Sequence, residues 1–308
     1  MTPASAALAD TIRRSGARRV AFLGLAKNVG KTTALVGVLE ELHRMGIAAG
    51  TTSAGRDGEA FDAITGEPKP RFRVWPGQLV ASAASTYESA SFPTTALDTL
   101  PFSTRFGRVQ VRRADGAGEM EIIGPGTASQ MARTAAALEE FGAETLLLDG
   151  AVGRRAFACA RVADGVVLSV GMAAGGSLDA VVAAARGAVD LIRLRTPDPG
   201  TPHRTVEGAL TGAFLRSAPA WSGETLVAED FTCIFLSPDE RRRLAEQGAR
   251  LAVRRPARLL AVTVNPTAPG RPPLPPAAFF TAIQRAVPEV PLFDLLADLE
   301  SGAIRLTP

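Results

Sequence analysis

An α/β fold with a mostly parallel sheet flanked by helices follows from three features of the 308-residue sequence. Short apolar runs such as Val20–Leu25, Thr145–Leu148, Gly165–Val170 and Leu259–Val264 alternate with stretches of helical periodicity. Aromatic residues make up only 6% of the chain, so its core must rest on Val, Leu, Ile and Ala, which suits parallel strands covered on both faces. The first fifty residues read strand, glycine turn, helix, strand, a βαβ unit that crosses over right-handed onto parallel strands.

The elements follow in order. The N-terminus reads as a plain helix or a frayed tail before the first strand, Val20–Leu25. Leu35, Val38, Leu39, Leu42 and Met45 share one face of a helix that starts at Thr32, and Gly46 terminates it. Ile47–Thr52 is a second strand. Residues 54–107 mix Gly, Pro, Ser and Thr with weak periodicity, and read as a switch-like loop with short helices, including one near Leu79–Ser89. Arg108–Arg113 and Glu119–Ile123 alternate around Asp115–Gly118, which predicts an antiparallel hairpin at a sheet edge. Thr127 and Gln130 have capping-box spacing for a helix to about Phe141, and Ser177 caps one through Arg193. After the Pro-rich break Thr196–Pro202 come strand-like Val206–Thr211 and Thr225–Ala228. The capping box Ser237–Glu240, a strand at Leu259–Val264, a helix at Ala277–Ala286 and a last strand at Val290–Phe293 complete the chain. The alternation predicts a nucleotide-binding core over 1–195 and an α/β continuation of the same sheet over 203–308.

Composition narrows the function. Apolar residues at 46% and charged ones at 21% provide a sizeable core. The net charge is only +3 and no long Lys/Arg tract occurs, which argues against nucleic acid as a partner. Cys159 and Cys233 lack CxxC spacing, and His43 and His203 cannot build a His-rich metal centre. The longest early apolar run, Val20–Ala26, is too short for a membrane span. A cytoplasmic protein with no membrane partner is expected.

The chemistry concentrates in Gly24-Leu-Ala-Lys-Asn-Val-Gly30-Lys31-Thr32-Thr33. A turn whose backbone N–H groups point inward at a helix N-terminus meets the charge of a triphosphate without side chains. In this reading Gly30 lets the backbone approach, Lys31 carries charge to the β- and γ-phosphates, and the Thr32 hydroxyl is a ligand of Mg²⁺. The spacing is a variant one: Gly24 lies six residues before Gly30, and the strict first-glycine position is Leu25. The pattern predicts a P-loop NTPase fold with Gly24, Lys27, Asn28, Val29, Gly30, Lys31, Thr32 and Thr33 around the nucleotide, and Lys27 pointing to a phosphate or to solvent.

Mg²⁺ also wants a carboxylate at the tip of a neighbouring strand. Asp149, closing Leu146-Leu147-Leu148, fits, with Gly150 leaving room for phosphate. The polar loop Thr51–Glu59 follows the second strand, where ligands bind in such sheets. Asp57 is a candidate to bind Mg²⁺ or orient the attacking water, and Arg56 or Glu59 to touch the γ-phosphate or a substrate. Arg154 and Arg155 read as surface or as phosphate sensors.

The segment Gly24–Thr32 resembles the loop of dethiobiotin synthetase and its relatives, within the P-loop class that includes MinD-type and nitrogenase-iron-protein-type dimeric ATPases. Ala261–Pro269, followed by a helix and Val290–Phe293, resembles the strand–Asn–Pro segment with which dethiobiotin synthetase holds adenine; the resemblance implies that Asn265 contacts the base. Ala26 and Lys27 depart from the synthetase, and no lysine motif for its carbamate chemistry follows the second strand. The phrases GLAKNVGKTT, SAGRDGE, EIIGP, LLLDGAVGRR, GALT and TVNPTAP resemble the P-loop reactivase subunits associated with adenosylcobalamin-dependent lysine 5,6-aminomutase and ornithine aminomutase. That resemblance implies ATP-driven reactivation of a mutase partner. The expectation is a Mg²⁺-dependent ATPase switch on a partner enzyme, with a homodimer as the candidate assembly. The rivals are a ligase or kinase of the dethiobiotin synthetase type, its pocket lined by Arg56, Glu59 and Gly171–Gly176, and a non-hydrolysing binding module. The chain has no Asn-Lys-x-Asp guanine signature, which favours ATP.

Overall fold

A computed structural model describes residues 3–57, 72–150, 155–217, 221 and 223–295. Among these, nine strands build the main sheet: β1 Arg19–Gly24, β2 Ala49–Ser53, β3 Leu79–Ala83, β4 Thr94–Thr104, β5 Gly107–Ala114, β6 Thr145–Asp149, β7 Gly165–Gly171, β8 Leu259–Asn265 and β9 Leu292–Asp294. Their order is β9-β8-β7-β1-β6-β2-β3-β5-β4. Every pairing from β9 to β3 is parallel, and β5 and β4 close the edge antiparallel.

The central strands are buried on both faces, and alternate side chains feed two cores. Val20, Phe22 and Leu147 face one with helices α1 (Ala4–Ser15) and α2 (Lys31–Arg44). Ala21, Leu23, Leu146 and Leu148 face the other with α3 (Ala128–Glu140), α4 (Leu178–Ile192) and α5 (Pro276–Ala286). This is the period of two expected of strands between helical layers. The helix ends obey local chemistry. Thr127 accepts from the Gln130 N–H at 3.2 Å, Ser177 from Ala180 at 3.2 Å, and Gly16 ends α1 in the left-handed conformation at φ 70°. Met45, read as part of the α2 apolar face, lies past the last helical residue and is 41% exposed.

The antiparallel hairpin has a different second strand from the one read in the sequence. β5 pairs with β4, through a turn at residues 105–106 that closes on Gly107 at φ 107°. Residues 118–123 instead pair with Phe72–Val74 and with Arg56–Asp57. β4 escaped notice because its polar residues and Pro101 break any alternation, and an edge strand tolerates both. The helix read near Leu79–Ser89 is strand β3 followed by the short helix Ala84–Glu88, because Leu79–Ala83 is buried between β2 and β5.

The strands of the C-terminal third divide. β8 and β9 extend the main sheet, while His203–Thr205, Thr225–Ala228 and Arg250–Val253 form a separate parallel sheet with its own core of Leu210, Trp221, Leu226, Ile234 and Leu244. The run read as one strand at Val206–Thr211 is split by Gly208 at φ 80°: Val206 N–H donates to Val227 O at 2.9 Å, while Leu210–Thr211 pairs with Ile234–Phe235. Ser237 and Glu240 form the full capping box of the helix Pro238–Glu246. No helix among the described residues is long and apolar enough to cross a membrane.

One ion pair ties β1 to α3. Arg19 donates to both Glu139 carboxylate oxygens, at 2.8 and 2.5 Å, and both side chains are half-buried. These hydrogen bonds from Arg19 hold the Glu139 carboxyl below its ordinary value of 4.5. The folded state therefore gains stability above that value and loses it as pH falls through the lower folded value. Arg19→Met is expected to cost on the order of 1 kcal/mol at pH 7, after allowance for solvent screening, and less at pH 3. Denaturant melts at the two pH values check this, and an equal cost at both would refute it.

Candidate functional site

The register of the parallel strands brings a set of chain ends to one edge. Phe22 lies beside Asp149, Asp149 beside Ser53, Gly24 beside Ser169, and Gly171 beside Asn265. The chain runs from β1 to β2 on one side and from β6 over β1 to β7 on the other. β1 is thus the point where connections change direction, and the crevice outside the carboxyl ends of such strands is where ligands bind in open α/β sheets.

The glycine turn fills this position. Leu25 N–H donates to Ser169 O at 3.1 Å, so the chain leaves β1 still anchored to β7. The turn then folds back over Gly24, where a Cβ would come within 2.9 Å of Val29 Cγ2 and 3.0 Å of Ala26 O. Asn28 at φ 59° and Gly30 at φ 87° are both left-handed. Gly30 is the N-cap of α2, and its carbonyl accepts from Ala34 at 3.0 Å. The first turn of a helix has N–H groups with no acceptor inside the helix, and the head of α2 stands at the tip of β6. Val29 is buried, while Lys27 and Asn28 are exposed.

Lys31, the first residue of α2, is buried, and its ammonium donates to Asp149 Oδ1 at the tip of β6. The Asp149 side chain is fully buried. Thr32 is half-buried and Thr33 buried at the same helix head. The structure thus brings together Gly24, Gly30, Lys31, Thr32 and Asp149 from the sequence reading. Gly150 is also required by packing. Its N–H donates to Phe22 O at 2.9 Å, and a Cβ would lie 2.9 Å from that same oxygen, so the strand packing demands the glycine.

Asn265 closes the site from β8. Its Nδ2 donates to Asn28 O at 3.3 Å, and its Oδ1 accepts from Thr267 N–H at 2.9 Å and from Thr267 Oγ1 at 2.7 Å. Gly171, at the end of β7, lies beneath both: a Cβ there would stand 2.9 Å from Val29 Cα and 3.1 Å from Asn265 O. Arg271 donates to Gly175 O at 2.9 Å and binds the loop after β8 to the loop after β7. On the other flank the EIIGP segment crosses the end of β2. Gly124 donates to Gly55 O at 2.9 Å, and a Cβ on it would sit 1.8 Å from Ser53 O.

Ser169, Thr267, Arg271 and Gly124 were missed by sequence reasoning. A glycine beside an apolar run was the available signal for Gly124, but its partners Ser53 and Gly55 are distant in sequence. Arg56 and Asp57 are described through their backbone, paired with Ile123 and Ile122. Glu59 and Arg154 fall outside the described residues, as does the side chain of Arg155, which opens a short helix at Arg155–Ala158.

No family model, curated protein or solved structure matches this chain. The functional reading therefore stands on the residues themselves.

Gly171 provides a direct test of the packing. Its φ of −146° is open to any residue, so the constraint is space alone. Gly171→Ala must move backbone at Val29 or Asn265 and is expected to cost about 1–3 kcal/mol. Thermal unfolding measures it, and an unchanged midpoint would show that the turn does not rest on β7.

Proposed function

We propose that this chain is a Mg²⁺-dependent P-loop ATPase that acts as a switch on a partner enzyme. The observation that carries the reading is the glycine turn at the head of α2, set where the sheet connections reverse, with Lys31 buried against Asp149. A triphosphate is the ligand that such a turn suits best, since left-handed Asn28 and Gly30 leave backbone amides at the positive end of a fourteen-residue helix. The P-loop NTPase identity of the fold belongs to this proposal, supported by the helix that follows β1 and by the parallel order β7-β1-β6-β2-β3.

The donor set suits Mg²⁺. Thr32 offers a hydroxyl and Asp149 a carboxylate, both hard oxygen ligands. Held by these two residues, Mg²⁺ would supply neutralisation of phosphate charge. Lys31 supplies a fixed cation, and the amides of the turn hold the phosphates in place, so catalysis rests on positioning and charge stabilisation. Asp57 is the proposed group that orients water, on a backbone stretch tied to Ile122. ATP is the proposed nucleotide. The phrases that resemble reactivase subunits support an adenosylcobalamin-dependent aminomutase as the proposed partner, with a homodimer as the proposed assembly.

The test combines binding and turnover. Lys31→Ala removes a charge-assisted contact of roughly 1.5–3 kcal/mol and is expected to weaken Mg²⁺–ATP binding about 10- to 150-fold. Because that variant also strips Asp149 of its cation, Thr32→Val provides a second one that keeps the ion pair and is expected to abolish the Mg²⁺ dependence. The wild type should hydrolyse ATP slowly and faster with its partner, as captured with a non-hydrolysable analogue. Unchanged affinity in both variants would sink the nucleotide reading. Turnover that saturates with a small carboxylic or amino substrate, and ignores proteins, would sink the switch.

A further inference from the structure

We infer that Asn265 is a positioning residue for the phosphate-gripping turn, and that it holds the turn in its left-handed form instead of reading the base. The inference rests on the proposed nucleotide site and concerns how that site is held.

Every polar atom of the Asn265 side chain is engaged within the protein. The backbone N–H of Thr267 can only donate, and it donates to Oδ1 at 2.9 Å. That contact assigns the amide orientation: Oδ1 faces Thr267 and Nδ2 faces Asn28 O at 3.3 Å. The Thr267 hydroxyl makes a second contact to the same Oδ1, at 2.7 Å. Thr267 takes up Oδ1 and Asn28 O takes one Nδ2 hydrogen, so the side chain is aimed at the turn.

The accepting carbonyl belongs to the one non-glycine residue with positive φ among the described residues, Asn28 at φ 59°. A left-handed residue outside glycine costs of order 1 kcal/mol or more and persists only where its surroundings hold it. Asn265 supplies such a hold, and it does so from β8, a strand two places away from β1 in the sheet. Packing agrees with this. A Cβ on Gly30 would stand 3.6 Å from Asn265 Cβ, so the side chain lies against the second left-handed residue as well. Gly171 leaves room for Val29 and the Asn265 backbone to meet. The short strand–Asn–Pro–Thr segment therefore acts as a brace behind the turn, with Thr267 keeping the brace aimed.

A brace and a base reader differ in which ligands they affect. Binding is measured by calorimetry for Mg²⁺–ATP, Mg²⁺–GTP and inorganic tripolyphosphate, on wild type, Asn265→Ala and Thr267→Val. If Asn265 positions the turn, Asn265→Ala weakens all three ligands by a common factor of about 3 to 10, and Thr267→Val weakens them by a smaller common factor. General loss of fold would lower the fraction of binding-competent protein and the unfolding temperature while leaving Kd unchanged. A loss confined to ATP would make Asn265 a base reader and overturn the inference, as would unchanged affinity for every ligand. Wild-type protein that binds none of the three would instead sink the nucleotide reading itself, which keeps the two failures apart.

Discussion

The pairing of Lys31 with Asp149 is the constraint around which the site is arranged. The ammonium comes from the first residue of α2 and the carboxylate from the last residue of β6, and both are withdrawn from solvent. Burying an ammonium and a carboxylate costs several kcal/mol for each ion, and their attraction does little more than offset it. An apolar pair of similar volume would serve stability at least as well. The value of the pair lies in position: it fixes the head of α2 over the tip of β6. The six residues from Leu25 to Gly30 must then span from the end of β1 to that head. So short a connection forces a tight return, and the left-handed conformations of Asn28 and Gly30 provide it.

Space is the second constraint. Gly24, Gly150 and Gly171 sit where a methyl group would meet backbone atoms of a neighbouring segment at about 3 Å. Two of these glycines end strands and the third follows one, and together they let the turn, β1, β6 and β7 approach more closely than side chains allow. The variant spacing of the motif has the same origin. Gly24 is needed where the turn folds back onto the end of β1, while Leu25 continues the ladder to Ser169 through a backbone N–H that sets no demand for glycine there.

Local interactions made the first part of this architecture legible in the sequence. Thr127, Ser177 and Ser237 cap their helices within three residues, and β1, α2 and β2 follow from periodicity and one glycine turn. Lys31 was legible from the glycine turn at the head of a helix, and Asp149 because a polar group ends the apolar run Leu146–Leu148. What stayed hidden is non-local. β5 was recognisable as a strand, but its partner β4 carries Pro101, Asp98 and several threonines on an exposed edge where no burial pattern is imposed. Residues 118–123 alternate like a hairpin arm, yet they pair with two segments that precede them by more than forty residues. The brace of Asn265 on Asn28 spans 237 positions. Periodicity reports which face is buried, and it says nothing about which strand lies alongside.

The unit at 203–253 shows why the site is insensitive to this ambiguity. It leaves the main body after α4 and returns before β8, and the two crossings meet where Val253 N–H donates to Arg195 O at 2.9 Å. Its own core is separate, and it leans on α4 through Leu191 and through Arg241, which donates to Gly187 O at 2.9 Å. A unit whose ends lie close together can be inserted between two strands without changing how they pair. β7 and β8 accordingly run side by side to the Gly171–Asn265 pair as though the intervening chain were a simple loop. The strand ends that carry the turn, Asp149 and Asn265 are therefore brought to one edge by the parallel register, whatever the inserted unit does.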